Sequence, residues 1–306
     1  TYKEILPKLP PRMNQMKNTR NKSIDEILSL GLNRIAYKTL HKNLVSVSGF
    51  LTWLHQQLLV TQDFSSILHG VKNTSKRKDG DKTDTFTLKD LEAMFSTEEY
   101  QHSCFKGRAF RYWLPLLALY TGSRANELCQ LFVSDVYKDN GIDVLRMEDQ
   151  SDEKKLKNIQ SNRIVPVHKK LIELGFIDYV ALMNSQGQKQ LFPTLKPDIF
   201  GHRTKNISKF FNSEYQSYKG FLDRCGIYGS DAKGRKVFHS FRHTFINNAK
   251  QLEINLYMIK QFSGHASDDM TMDTYGDDYN LDLLKKNIDK IKFDVQHPKK
   301  WHRHFL

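Results

Sequence analysis

The sequence predicts a mainly α-helical chain with one small antiparallel β-sheet, an α+β fold in which a small helical domain precedes a larger one. Three observations predict it. Leu40, Leu44, Val47, Leu51, Leu54 and Leu58 recur every three or four residues, the spacing of one helix face. The run 72–85 holds no apolar residue and reads as a basic, flexible linker. Beyond it helical spacing resumes, broken once, where Ile142–Met147 and Arg163–His168 read as the strands of a hairpin with a lysine-rich connection.

Taken in order, residues 1–72 form the small helical domain. A short helix over Ser23–Leu30 precedes the long one, with Ser23 as N-cap, Glu26 three residues on as its capping-box partner, and Gly31 as the stop. Residues 73–85 are the linker. Residues 86–292 form the larger domain, with helices expected at 87–95, 108–120, 124–133, 169–183, 206–224, 240–250, 254–262 and 281–292 around the hairpin. Residues 293–306 are a C-terminal tail. In the last helix Leu281, Leu284, Ile288 and Ile291 share one face, suited to its own domain or to a neighbouring subunit.

Composition narrows the partners. Lys and Arg number 47 against 34 Asp and Glu, a net charge of +13, which favours a polyanion and above all nucleic acid. Residues 1–83 carry 14 of the basic and 6 of the acidic residues, a net +8. Three cysteines, Cys104, Cys129 and Cys225, without metal spacing fit a reducing compartment, so a cytoplasmic location is expected. No apolar run is long enough for a transmembrane helix, and no membrane partner is expected. A start at Thr1 and not Met suggests that an upstream domain has been trimmed away.

Three short islands carry the chemistry. Arg124 lies in Thr-Gly-Ser-Arg, His239 and Arg242 in His-Ser-Phe-Arg, and His265 follows Gly264 with Tyr275 ten residues beyond. Two arginines, two histidines and a tyrosine suffice to cut a phosphodiester without a metal. Guanidinium forks neutralise the pentacovalent phosphate, imidazoles add hydrogen bonds, and a phenol attacks phosphorus. The Thr121-Gly122 pair should end one helix and Ser123 cap the next, placing Arg124 at a helix N-terminus with Glu127 able to hold its guanidinium. His239 and Arg242, at i and i+3, share a helical face. His239 and His243 have the spacing of a metal pair, but Ser240 stands where a zincin has Glu, and no third ligand is evident, so neither metal nor cofactor is expected. Tyr279 is the rival to Tyr275 as nucleophile. In the hairpin connection Lys154, Lys155 and Lys157 are candidate proton donors to a leaving oxygen.

These islands resemble the boxes of the tyrosine recombinases, the family of phage integrases and related site-specific DNA recombinases. Residues 117–128 (Leu-Ala-Leu-Tyr-Thr-Gly-Ser-Arg-Ala-Asn-Glu-Leu) resemble the first box, 238–245 (Phe-His-Ser-Phe-Arg-His-Thr-Phe) the second, and 263–276 the third. Residues 157–168 resemble the family's lysine-bearing β-turn and the Arg-x-Val-Pro strand after it, which points to Lys157 as the catalytic lysine. The resemblance covers about 86–290 as the catalytic domain and, more loosely, 1–72 as the helical core-binding domain; no arm-binding domain is matched.

The resemblance implies a clamp on double-stranded DNA in which Tyr275 attacks the phosphodiester, leaving a 3′-phosphotyrosine and a free 5′-hydroxyl. Arg124 and Arg242 would hold the non-bridging oxygens, His239 and His265 would hydrogen-bond the same group, and Lys157 would protonate the departing oxygen. It also implies a synaptic tetramer, accessory DNA-bending proteins as partners, a bacterial cytoplasm or nucleoid, and a C-terminal helix docked on a neighbouring subunit. A type IB topoisomerase and a catalytically silent DNA-binding relative are the alternatives.

Overall fold

The larger domain is built around one helix that has no exposed face. The computed structural model describes residues 2–63, 84–102, 105, 107–148, 154, 162–212, 214, 215, 218–227, 236–264 and 279–302, and the chain divides into two units, residues 1–78 and 79–306. The expected linker falls largely outside the described residues.

In the first unit the capping box forms as the sequence requires. Helix α1 (Ile24–Ser29) begins where Glu26 N donates to Ser23 Oγ at 3.3 Å and Ser23 N donates to Glu26 Oε2 at 2.7 Å. Helix α2 (Tyr37–Gln56) carries the apolar stripe, of which Leu40 is buried and Val47 exposed. Leu58 lies beyond the helix at a positive φ of 56°, so the stripe ends a turn earlier than its spacing suggests.

In the second unit, helix α3 (Leu88–Phe95) leads to the central helix α4 (Phe110–Thr121), in which every residue except Arg111 is buried. An apolar sequence on all sides makes that placement the stable one. Pro115 sits inside α4 and removes a backbone donor, so the carbonyl of Arg111 four residues earlier loses its helical partner. The phenol of Tyr100 donates to that carbonyl at 2.8 Å.

Short helix α5 (Ala125–Cys129) follows, then a three-stranded antiparallel sheet, β1 (Val136–Asp139), β2 (Ile142–Met147) and β3 (Arg163–Pro166), in the order β1-β2-β3. Met147 pairs with Arg163 and Val144 with Pro166. The expected helix over 124–133 is thus shorter, and β1 was not foreseen. Its signal was present in Asn140-Gly141, whose φ values of 45° and 81° make the two-residue turn between Asp139 and Ile142. The expected helix 169–183 is two, α6 (Lys169–Glu173) and α7 (Phe176–Ser185), broken at Gly175 with φ 90°. The expected helix 206–224 becomes α8 (Lys205–Asn212), a two-stranded ribbon of β4 (Glu214–Tyr215) and β5 (Tyr218–Lys219), and a single turn at Phe221–Arg224.

Helix α9 (Ser240–Gln251) packs along α4, followed by α10 (Leu256–Ser263) and α11 (Leu281–Ile288). Leu284, Ile288 and Ile291 are buried in this unit's own core, against the sheet. That corrects the expectation that this face docks on a neighbour. The chain after it straps back across the core: Tyr112 Oη donates to Lys299 O at 2.7 Å, Trp301 N donates to Leu174 O at 2.9 Å, and the Trp301 ring meets Tyr179 edge-on.

His168 lies under this strap. Its Nδ1 accepts from Lys170 N at 2.9 Å, so Nε2, 2.8 Å from Ile291 O, is the ring's donor. A neutral ring satisfies both contacts and a protonated one cannot. Burial, more than the nearby Lys285 and Lys169, pulls its pKa down to about 4. A base whose folded pKa lies below its unfolded value contributes fully above the unfolded value, and the contribution fades as pH falls. Stability should therefore drop between pH 6.5 and about 4, by on the order of 3 kcal/mol from this residue. Denaturant titrations across that range test this, and His168→Gln should flatten the dependence.

Candidate active site

Five side chains from three separate elements converge beside the end of α4. Gly122 terminates that helix with φ 67°, and its missing Cβ leaves room for Phe245 of α9: a methyl there would lie 2.4 Å from the ring. Left-handed backbone and close approach both demand glycine. Gly122→Ala should cost about 1–3 kcal/mol, measured by chemical denaturation; an unchanged midpoint would show that the ring moves aside freely.

Arg124, not Ser123, occupies the N-cap of α5. Its backbone N–H donates to Glu127 Oε2 at 2.9 Å and its Nη1 to Oε1 at 2.7 Å. The expected Arg124–Glu127 clamp is present. The helix terminus itself adds little attraction for an anion, because α5 has only five residues and Glu127 already occupies the Arg124 N–H.

Glu127 holds a second guanidinium that sequence reasoning did not single out. Arg163, the first residue of β3, donates from Nη2 to Glu127 Oε2 at 2.8 Å and to Ser123 Oγ at 3.0 Å, and from Nε to Phe262 O at 2.9 Å. Its guanidinium also underlies Gly264, where a Cβ would sit 2.5 Å from Nη1. One buried side chain thus ties the hairpin, the Ser123–Glu127 turn and the end of α10 together. Strand alternation was the available signal, since Arg163 shares a face with Val165 and Val167, both fully buried.

Arg242 is the third guanidinium. It is 2% exposed, and its Nη1 donates to Gly122 O at 2.7 Å and to Ser263 O. Its Nη2 is buried with no partner among the described residues. Burial first, then repulsion from Arg124, lowers its pKa to about 9, with Glu127 opposing. Burial also lowers Arg163, and the guanidiniums hold Glu127 below the usual carboxylate range despite its own burial. Among the described residues three guanidiniums thus gather near one carboxylate.

His239 caps α9 and presents an exposed edge one turn before Arg242. Partial burial, then the positive fields of His243, Arg242 and Arg124, lower its pKa to about 4, so the ring is neutral near pH 7. His243 meets it edge-on at 4.9 Å between centroids, and among the described residues no group of three or more His, Cys, Asp and Glu is placed to hold a metal.

The structure brings Arg124, His239 and Arg242 together, with Glu127 and Arg163 beneath them. Lys157, His265 and Tyr275 lie outside the described residues, as does Lys155. Lys154 is committed elsewhere: its Nζ meets Asp135 Oδ1 and Oδ2 at 2.8 and 2.7 Å, both groups buried, with the ammonium over the Phe132 ring. Tyr279 is partly buried against the core, and its backbone N–H donates to Gln261 Oε1 at 3.2 Å.

The phage integrase family model matches residues 84–280, more than half of the chain, and the chain belongs to that family. Among solved structures it is similar to the XerH site-specific recombinase bound to its difH substrate, at 18% identity over 76% of this chain and 60% of that one, with a TM-score of 0.48. It is also similar to the Tn1549 transposon integrase in complex with a circular intermediate DNA, at 16% identity over 84% and 80% of the two chains, TM-score 0.48. A lambda integrase dimer bound to a core site matches at 15% identity over 90% and 85%, TM-score 0.45. No curated protein sequence matches the chain. Among the described residues no helix is long and apolar enough to cross a membrane.

Proposed function

We propose that the chain is a tyrosine-type site-specific DNA recombinase, cleaving and rejoining duplex DNA through a 3′-phosphotyrosine at Tyr275 without metal or ATP. The observation that carries this reading is the arginine cluster. A buried Arg242 donor without a partner among the described residues, and the repulsion between it and Arg124, are unfavourable alone. The oxygens of a phosphodiester relieve both, and more so as charge builds up in the pentacovalent state.

Arg124 and Arg242 hold the non-bridging oxygens. Burial, then the fields of His243 and these arginines, keeps His239 neutral before DNA binds, so it donates one N–H to the phosphate; bound phosphate then raises its proton affinity. His265 follows Gly264, the residue seated on Arg163, and makes the companion hydrogen bond. Lys157 gives its proton to the departing 5′-oxygen; the ion pair of Lys154 with Asp135 supports assigning that role further along the hairpin connection. The excess of 47 Lys and Arg over 34 Asp and Glu supports binding through phosphates, with affinity falling steeply as salt rises. Strand exchange between two duplexes then calls for four protomers, and DNA-bending proteins in the cytoplasm or nucleoid would assist them.

The test is covalent trapping. A duplex recovered by the wild-type chain from a random-sequence pool is nicked beside the cleavage point so that the short product diffuses away. The expected result is an adduct that survives SDS and forms equally in EDTA. A duplex that binds yet never yields an adduct would overturn the reading, as would loss of cleavage on chelation.

A further inference from the structure

Arg163 and Arg242 grip the same two stretches of chain at adjoining residues. Arg242 Nη1 donates to Gly122 O at 2.7 Å and to Ser263 O. Arg163 donates from Nη2 to Ser123 Oγ at 3.0 Å and from Nε to Phe262 O at 2.9 Å. Its contacts thus fall one residue after the first of those carbonyls and one residue before the second. Both stretches are helix ends: Gly122 closes α4 and Gly264 closes α10, at φ 67° and 65°. The last carbonyls of a helix lack donors within it, and its negative end attracts cations. Two guanidiniums meet that need at the end of α10, one on Phe262 O and one on Ser263 O.

The two grips differ in stiffness. Arg242 spans its carbonyls with a single nitrogen, so the separation of Gly122 O from Ser263 O decides which way the rest of its guanidinium points. Arg163 spans the same gap with two nitrogens of a rigid planar fork. Its Nη2 also donates to Glu127 Oε2 at 2.8 Å, which balances its charge and fixes its plane from a third side. The side chain is 2% exposed and lies directly under Gly264, with no room for a Cβ between them. It cannot shift without moving both helix ends.

We infer that Arg163 is a positioning residue for the reaction: by fixing the spacing of the Ser123 and Phe262 stretches it aims Arg242, so that Nη2 faces the phosphate. This rests on the recombinase reading and adds to it a buried group that acts only through Arg242. Misplacing a reacting group by about 1 Å is enough to cost about 10²-fold in rate. The loss of Arg163 is therefore felt in the speed of cleavage and not in the affinity for DNA.

The experiment uses the full chain and the recovered nicked duplex, with single-turnover adduct formation measured at saturating DNA. Arg163→Lys keeps a charge beside Glu127 but cannot span the gap with two nitrogens. Its rate should fall about 10–100-fold, with duplex affinity within about twofold of wild type. One aim cannot be lost twice, so adding Arg163→Lys to Arg242→Lys should slow cleavage by no more than about threefold beyond Arg242→Lys alone. A purely structural role would multiply the two losses. Ser123→Ala removes a single bond of the fork and should slow cleavage about threefold alone, and not at all when Arg242→Lys is present. That pair decides the matter if the Arg163→Lys chain does not fold. A wild-type rate in the variants, losses that multiply, or a loss confined to affinity would overturn the inference and leave the recombinase reading standing. If the wild-type chain binds the duplex and forms no adduct, that reading fails and the inference goes with it.

Discussion

Tyr275→Phe should abolish the covalent adduct, a loss on the order of 10⁴-fold or more, because removing a nucleophilic oxygen removes the step itself. Binding of the intact duplex should persist, since phosphate contacts come from the arginines and the basic surface and do not need the phenol. Tyr279 gives the decisive control. It lies four residues on in sequence, but it is partly buried against the core and its backbone is tied to Gln261. Tyr279→Phe should therefore keep the adduct. Gel assays of both variants on the nicked duplex separate the roles, and an adduct that survives in Tyr275→Phe and vanishes in Tyr279→Phe would reassign the nucleophile.

Arg242→Lys should slow adduct formation by about 10²–10³-fold. The wild-type guanidinium is held by one nitrogen on two backbone carbonyls, Gly122 O and Ser263 O, which leaves Nη2 for the substrate. A lysine keeps the charge but offers one nitrogen where the site uses two, so it can meet the carbonyls or the phosphate and not both with the same geometry. Single-turnover cleavage should reveal the loss in the rate at saturating DNA with little change in duplex affinity. A denaturation midpoint near that of wild type separates the chemical effect from a folding defect. A rate within threefold or so of wild type would mean that Nη2 does not contact the reacting phosphate.

Local grammar was legible in the sequence, and cross-chain geometry was not. The Ser23–Glu26 box, the buried α4, the hairpin strand at Ile142–Met147 and the clamp of Arg124 by Glu127 depend on spacings of a few residues, which the sequence displays directly. The expected helices at 169–183 and 206–224 failed at Gly175 and at the β4–β5 ribbon, where a short breaker outweighs a long apolar pattern. The face of Leu284, Ile288 and Ile291 showed that a helix must be covered but carried no sign of which subunit covers it. Arg163 was missed because its partners lie about 36 to 99 residues away, at Glu127, Ser123 and Phe262. Its place in an inward-facing alternation and in the Arg-x-Val-Pro stretch marked the position but not its partners. Lys154 looked equivalent to its neighbours in the hairpin connection until Asp135, distant in sequence, claimed it.

The sharing of Glu127 between Arg124 and Arg163 constrains how this protein can evolve. Losing the carboxylate removes the ion pair of two guanidiniums at once, and losing either guanidinium removes one of the charges that keep the buried carboxylate ionised. Substitutions at these three positions cannot be judged one at a time, because the fitness of each depends on which residues occupy the other two. Drift in this corner of the fold must proceed by coordinated replacement, so lineages that separate here will carry combinations that do not interchange.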